Sequence, residues 1–558
     1  MELSRRNLLA GVGGGILLGG LPTAAHASTP RPQRGGEEGH TGSATGHRYY
    51  IAADGSDDNS GQSPDEAWAS TERVNAEALE PGSQVLFRRG DRWLGNVVIS
   101  DPGTEASPIV IGAYGSGSRP RIDATLPADD VLAATVLVHN AEHVHVRDLE
   151  LTNDAEDQGM RNGVLVAVDD PQQPVYSGYL VHNVFVHDVR GQLDHHENDG
   201  KRSGGIGFAL DGTPETVSRF HDITITDNTV DHVDQTGLWI DSNLRNAELP
   251  PGTDVVYRGY TWEQVKFTDI EVAYNSINDT ARNGAIIRMA DGGRFHHNVV
   301  SRTSDRVPSG NSVFTVSVYQ FTVEWNEVHH NLSHDTADGC AFDPDFDSPG
   351  TTWRYNFSHD NHYGLLTTCT RPRDYKVEVY QNIDIGGKGR LINLNYGFTD
   401  VTFSNNAFWA KPVDEVEYPD THPDYVNPDR ETAGGYPQII WETHEREGRN
   451  FEADQSYTYT GNVVFNEAPT ATFYFNSDDE NSNRYTERAI SDNTIYGLWP
   501  GGQGGEPEVD GFTWAGEEPP HDWIRDTVGT EVYRFWSRSI RGLQNPHIGP
   551  RRRYQEGL

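Results

Sequence analysis

An asparagine returns along the middle of this chain, each time followed by alternating apolar positions. The instances are Asn183-Val-Phe-Val, Asn228-Thr-Val, Asn275-Ser-Ile, Asn298-Val-Val, Asn326-Glu-Val, Asn356-Phe-Ser, Asn382-Ile-Asp-Ile, Asn406-Ala-Phe, Asn462-Val-Val and Asn493-Thr-Ile. From Asn275 to Asn406 the successive spacings are 23, 28, 30, 26 and 24 residues, and the two before them, 45 and 47, each span about two units. Units this short, with a period of two and no sustained helical period, read as strands. A strand repeat of about 20 to 30 residues indicates a solenoid, because each unit leaves a sheet face that only its neighbour can cover. The expected fold class is all-β, a right-handed parallel β-helix, with asparagine suited to the left-handed turns between strands. A β-propeller is the rival, but blades of about 40 residues with four strands do not match these spacings. At 558 residues the chain is long for one globular core, though not for an architecture that grows by repetition.

A β-helix needs its open ends covered. Residues 48–125 supply an N-terminal cap and the first coils, opening "YYIAADGSDDNSGQSPDEAWASTERVN". Here an apolar strand, Tyr49 to Ala52, leads through a Gly/Asp/Ser loop into a short helix around Trp68. Coils are expected over 126–505, with a long inserted loop at about 411–455 rich in Asp, Glu, Pro and Tyr. The tail, 506–558, reads as irregular, with Trp523, Tyr533, Phe535 and Trp536 packing as a C-terminal cover.

At the N-terminus, Ser4-Arg5-Arg6-Asn7-Leu8-Leu9 is a twin-arginine signature, followed by an apolar, glycine-rich run to about Leu21 and then Ala25-His26-Ala27. This predicts a Tat signal peptide over residues 1–27, a disordered leader over 28–47 and a secreted mature protein. The lesser alternative is a membrane anchor, for which the apolar run falls short of the ~20 residues that span a bilayer. Lys and Arg number 44 against 83 Asp and Glu, a net charge of −39, which argues against a nucleic-acid or anionic-membrane partner. Two cysteines, Cys340 and Cys369, exclude a disulfide framework and are expected as buried free thiols.

The cap-like opening followed by asparagine-based coils resembles the pectate-lyase-like β-helix superfamily of polysaccharide lyases and glycoside hydrolases, over about residues 48–500. The resemblance implies a polysaccharide or oligosaccharide substrate.

A second strand in each coil follows a glycine: Gly163-VLVAVD, Gly205-IGFALD, Gly237-LWIDSN, Gly284-AIIRMAD, Gly339-CAFDPDFD and Gly364-LLTTCTR. Odd positions after the glycine are apolar and should point inward, Leu365, Thr367 and Cys369 among them, leaving the even positions on one outer face. The fourth position holds Ala167 and Ala209, then Asp241, Arg288 and, after a coil with Thr315 and Ser317, Asp343. The sixth holds Asn243 and Asp345. Trp239 takes a second position, and Tyr319 is expected on the same face. Asp343 and Asp345, two residues apart on one strand, should have Cα atoms about 6.5–7 Å apart with both side chains on one face. Two such carboxyls raise each other's proton affinity, giving one acid and one carboxylate near neutral pH. Their separation suits an inverting glycosidase. Trp239 and Tyr319 would stack against sugar rings, and Asp338, at the turn before the strand, would complete a three-carboxylate set.

That set resembles the acidic centre of polygalacturonase-type hydrolases, although the Gly-His-Gly and Arg-Ile-Lys elements of that family are missing, which takes away the ground for a galacturonan substrate. Pectate lyases imply a different chemistry. Asp241, Asp343 and Asp345 would hold Ca²⁺, which accepts oxygen ligands in flexible geometry, and Arg288 would be the base, a hard role for a group with pKa above 12. No other cofactor is expected. A non-catalytic glycan-binding solenoid is the third reading. Plainer roles exist for each residue. Asp343-Pro344-Asp345 suits a solvated turn or a structural Ca²⁺ site, and Arg288 with Asp241 a surface ion pair worth under about 1 kcal/mol. His329, His330, His334, His359 and His362 match no zinc signature and read as turn histidines. His334 and His359, 25 residues apart, are expected to stack at the edge of the acidic face, where one of them binds substrate.

Overall fold

The computed structural model describes residues 46–544, apart from 194–199, 214, 246–248, 250, 308–309, 334–337, 370–375, 388, 396–397, 413–437, 444–454, 476–485 and 501–508. Most of the insertion expected at 411–455, the segment before residue 46 and His334 therefore lie outside the described residues.

Three long sheets run the length of the molecule, and the chain visits them in turn, so that each strand pairs with its counterpart one coil later. The first begins with Arg48–Ile51 and ends with Thr486–Ser491; the third begins with Arg92–Leu94 and ends with Phe512–Trp514. Between them lies a twelve-stranded sheet, called the front sheet below. Its strands include Asn162–Val168, Gly204–Leu210, Thr236–Ser242, Ala285–Arg288, Val313–Val316, Phe342–Pro344, Leu366–Cys369, Arg390–Asn395 and Gln438–Thr443. The pairings along all three are parallel, and the fold is the right-handed parallel β-helix.

The interior is filled by columns of apolar side chains, one per coil. In the front sheet Ile206, Leu238, Ala285, Val313, Phe342, Leu366, Ile392 and Ile440 pair in succession, all buried. This register corrects one expectation: Leu366, not Leu365, continues the column, so the strand after Gly364 is one residue out of the expected phase. Cys340 is a buried free thiol as expected; the side chain of Cys369 lies outside the described residues.

The asparagine repeat is a hydrogen-bonded ladder at one corner. The backbone N–H and the Nδ2 of Asn228, Asn275, Asn298, Asn326, Asn356, Asn382, Asn406 and Asn462 each donate to the Oδ1 of the next asparagine, ending at Asn493. The left-handed residue is not the ladder asparagine but the one before it: Asp227, Tyr274, His297, Trp325, Tyr355, Gln381 and Asn405 all have φ between 52° and 61°. Asn183 belongs to that class, with φ of 53°, and Val184 holds the ladder position, donating its N–H to Asn228. A ladder amide satisfies buried backbone groups that the corner leaves without sheet partners. Replacing Asn326 by leucine orphans the N–H of Asn298 and the carbonyl of Phe295, at about 1–3 kcal/mol for each unsatisfied group. The expected outcome is a lower urea midpoint for Asn326→Leu with an unchanged slope.

At the N-terminal end the expected helix around Trp68 is two short pieces that flank it, Pro64–Glu66 and Thr71–Asn75. Trp68 stacks on Tyr49 at 4.6 Å and donates its indole N–H to the carbonyl of Asn59. At the other end, residues expected to be irregular form helices Trp523–Val528 and Thr530–Gln544. They pack along the outer side of the third sheet, where Trp523, Ile524, Val532 and Trp536 join Phe357, Ile383 and Ile385 in a separate apolar cluster.

Candidate active site

Strand register decides which side chains share the outer face of the front sheet. Asp343 pairs with Phe314, which pairs with Ile286, which pairs with Trp239. Asp345, two residues on, donates its N–H to the carbonyl of Thr315 and so comes level with Val316, Arg288 and Asp241. The expected alignment placed Asp343 at that level. It is displaced by two residues, because Ala341 rather than Gly339 is the counterpart of Gly284. The phase survives, so both aspartates still leave the outer face.

Asn311, just before Val313–Val316, ties the carboxylates together. Its Nδ2 donates to Asp343 Oδ2 at 2.7 Å and to Asp338 Oδ1 at 3.2 Å, while its Oδ1 accepts the N–H groups of Gly339 and Cys340, both at 2.9 Å. Gly339 has φ of 145°, and a Cβ there would meet the ring of His362 at 2.8 Å, so the turn needs glycine. Asp343 is 4% exposed, whereas Asp338 and Asp345 are half-buried. Oδ1 of Asp343 and Oδ1 of Asp345 are buried without a hydrogen-bond partner among the described residues.

Burial first, then the charges of Asp345 and Asp338, push the Asp343 carboxyl well above the usual carboxylate range against the pull of Asn311 and Lys201. Burial also raises Asp345, to about 6, with the Phe346 N–H and Lys201 acting the other way. Lys201 is the residue that sequence reasoning missed. It sits on the short turn Gly200–Arg202, with its Nζ 4.9 Å from the centre of the Phe314 ring. Burial and the neighbouring Arg282 and Arg288 lower it to about 7, against the charges of Asp345 and Asp338. The available signal was scarcity: Lys201 is one of five lysines in the chain.

Several residues expected to touch substrate do not reach it. Asp241 is 1% exposed and is enclosed by Arg288 at 2.6 Å, Arg202 at 3.0 Å and Arg245 at 3.5 Å. Burial opposes its ionisation, but the three guanidinium groups outweigh it and hold the carboxylate far below its ordinary range. Arg288 and Asp241 do pair, as expected, yet as a buried knot rather than a surface bridge. Trp239 is 2% exposed, lies flat against Gly207 and donates its indole N–H to Asn162 at 3.1 Å. It is packing, not a sugar platform. Tyr319 follows the end of its strand, packed against Gly252 and Gly350 at the corner. His359 belongs to the third sheet, stacked on His329 with ring centroids 4.6 Å apart. Burial would lower its pKa, but Asp360 and Glu327 raise it to about 9. It does not join the acidic face.

No family model matches the chain. Among curated proteins it is similar to a lacto-N-biosidase of Bifidobacterium longum subsp. longum, 25% identical over 435 residues, covering 62% of this chain and 26% of that protein. The chain thus spans about a quarter of the length of the curated relative it matches. Two crystal structures of a GH136 lacto-N-biosidase from Eubacterium ramulus, native and selenomethionine, are 22% and 21% identical. Both have a TM-score of 0.57 and cover 71% of this chain and 67% of theirs, a likeness that establishes the shared β-helix fold.

Proposed function

We propose that this protein is a glycoside hydrolase acting on a glycan, with Asp345 and Asp338 as the two carboxyls that reach the glycosidic bond. The observation that carries the reading is the juxtaposition, on one outer face, of three aspartates and a half-buried lysine, two of the aspartates retaining an unpartnered buried oxygen. Hydrolysis of a glycosidic bond needs one group to protonate the leaving oxygen and a second carboxylate opposite. Asp345, raised to about 6, holds a proton in mildly acidic solution and is assigned the acid role. Asp338, half-buried at the turn before strand Phe342–Pro344, is assigned the second role. Asp343 is 4% exposed, and its carboxyl is raised well above the usual carboxylate range by burial and the neighbouring aspartates, so it is assigned no direct part in bond cleavage.

The likeness to lacto-N-biosidases supports a hydrolase and directs the substrate search to oligosaccharides that carry lacto-N-biose. The calcium-dependent lyase reading loses its parts. Asp241, surrounded by three cations, would repel Ca²⁺, and Arg288 is committed to Asp241. The Ser4–Leu9 signature and the following apolar run support export through the Tat pathway, so the proposed site of action is outside the cell. Signal cleavage near Ala27 is tested by sequencing the N-terminus of the secreted protein.

The assignment predicts a pH dependence with a definite sign. As pH rises through about 6 the acid is lost and kcat falls. Stability follows the same direction. Asp345 binds its proton more tightly folded than unfolded, where its pKa is about 3.9. Its contribution is therefore fully present below about pH 4 and lost as pH rises through about 6. Asp345→Asn is expected to raise Tm at pH 7 relative to the parent and to leave it unchanged at pH 4. A rate that climbs through pH 6 would assign the acid elsewhere.

A further inference from the structure

On the third sheet, away from the acidic face, three histidines meet. His329 and His330 lie on strand Glu327–Asn331 and His359 on Phe357–His359, one coil later, with His329 paired to His359. One ring nitrogen from each lies within 4.8 Å of the other two. The rings of His329 and His359 stack at an angle of 11°, and Nδ1 of His329 is 2.6 Å from Nδ1 of His330.

A pair of adjacent histidines is by itself no site. His296 and His297, at the end of a first-sheet strand one coil earlier, make the same Nδ1 to Nδ1 approach at 2.8 Å, with the second residue again left-handed. The third ring is what distinguishes the later pair. Nδ1 of His359 is 2.8 Å from Asp360 Oδ2, whereas its Nε2 has only a long 3.4 Å approach to Glu327. That is the arrangement of a metal-ligating histidine, with a carboxylate fixing one nitrogen and the other left to coordinate. The scaffold around it is rigid: Asn331 donates its N–H to Asn361 at 2.8 Å, and Ser539 of the C-terminal helix donates to Glu327 at 3.2 Å.

We propose that His329, His330 and His359 bind a divalent transition metal, Zn²⁺ fitting best, which fastens two successive coils beneath the C-terminal helix. Imidazole is the ligand type such ions prefer over calcium or magnesium. Ligand nitrogens about 2.0–2.1 Å from zinc stand roughly 3.4 Å apart in a tetrahedron, so metal binding requires the parallel rings of His329 and His359 to tilt toward a shared ion and the 2.6 Å approach of His329 to His330 to open. A fourth position remains for water.

The test uses the full chain without an affinity tag, stripped by chelator and titrated with Co²⁺ and then Zn²⁺. One equivalent of Co²⁺ per chain should give the intense visible absorption of a tetrahedral site, displaced by Zn²⁺, and Zn²⁺ should raise Tm. His359→Gln and His330→Gln, each checked for fold by circular dichroism, should weaken binding at least about tenfold, while His296→Gln leaves it unchanged. The absence of a cobalt band in the parent protein, or equal loss in His296→Gln, would overturn the proposal.

Discussion

Asp345→Asn is expected to lower glycan cleavage by about 10³-fold with the far-ultraviolet spectrum unchanged, since a positioned proton donor contributes about 10²–10⁴-fold. Asp338→Asn should fall by a similar factor, because Asp343, the third aspartate of the set, is 4% exposed. Asp343→Asn is expected to cost much less. Asparagine keeps a hydrogen-bonding group of the same shape beside Asn311, where burial already favours the neutral form of the Asp343 carboxyl. With a substrate whose leaving group needs no protonation, an activated aryl glycoside, Asp345→Asn should recover much of its rate and Asp338→Asn should not. If Asp343→Asn were the inactive variant and Asp345→Asn the active one, the acid role would pass to Asp343.

The second large effect is on folding. Asp241→Ala leaves Arg288, Arg202 and Arg245 facing one another around a vacated buried site. Removing one partner of a buried ion pair costs about 3–5 kcal/mol; Arg202 keeps Asp211 at 2.8 Å and Arg245 is partly exposed, so the effect falls chiefly on Arg288, which is 5% exposed. Expected readouts are a large fall in urea midpoint and a reduced yield of folded protein, with partial recovery in the double variant Asp241→Ala/Arg288→Met. Had Asp241 bound substrate, as the sequence suggested, the main effect would instead be a raised KM on a stable protein. The two outcomes separate cleanly in a melt followed by steady-state kinetics on the folded fraction.

These two predictions mark where the sequence was readable. The coil repeat was legible because strand alternation and a buried polar ladder both leave a periodic trace, and the asparagines from Asn228 to Asn493 carry it. That Asp343 and Asp345 share an outer face followed from their spacing alone, since a period of two is intrinsic to a strand. Which residues they stand beside did not follow. A glycine marks the start of the strand in the earlier coils, but Gly339 serves a tight turn against His362, and its coil runs two residues longer before the strand begins. Burial was also beyond reach. Trp239 and Asp241 face outward from the sheet, yet Gly207 lets the indole lie flat and arginines from Arg202 and Arg245 close over the carboxylate. Those arginines and Lys201 arrive from segments between strands, where no periodicity announces position. The aromatic residues Trp523, Tyr533, Phe535 and Trp536 point to a cover over the coils, and the structure adds that they lie on two helices.

One acidic centre performs the proposed hydrolysis, and product chemistry tests that most directly. The purified protein would be incubated with oligosaccharides carrying lacto-N-biose and, separately, with uronate polymers, each with and without a calcium-selective chelator. New reducing ends from the first set, with no unsaturated uronide absorbance, indifferent to chelation and abolished in Asp345→Asn, are the predicted result. Unsaturated uronide appearing from the polymers and vanishing on chelation, or reducing ends undiminished in Asp345→Asn, would contradict it.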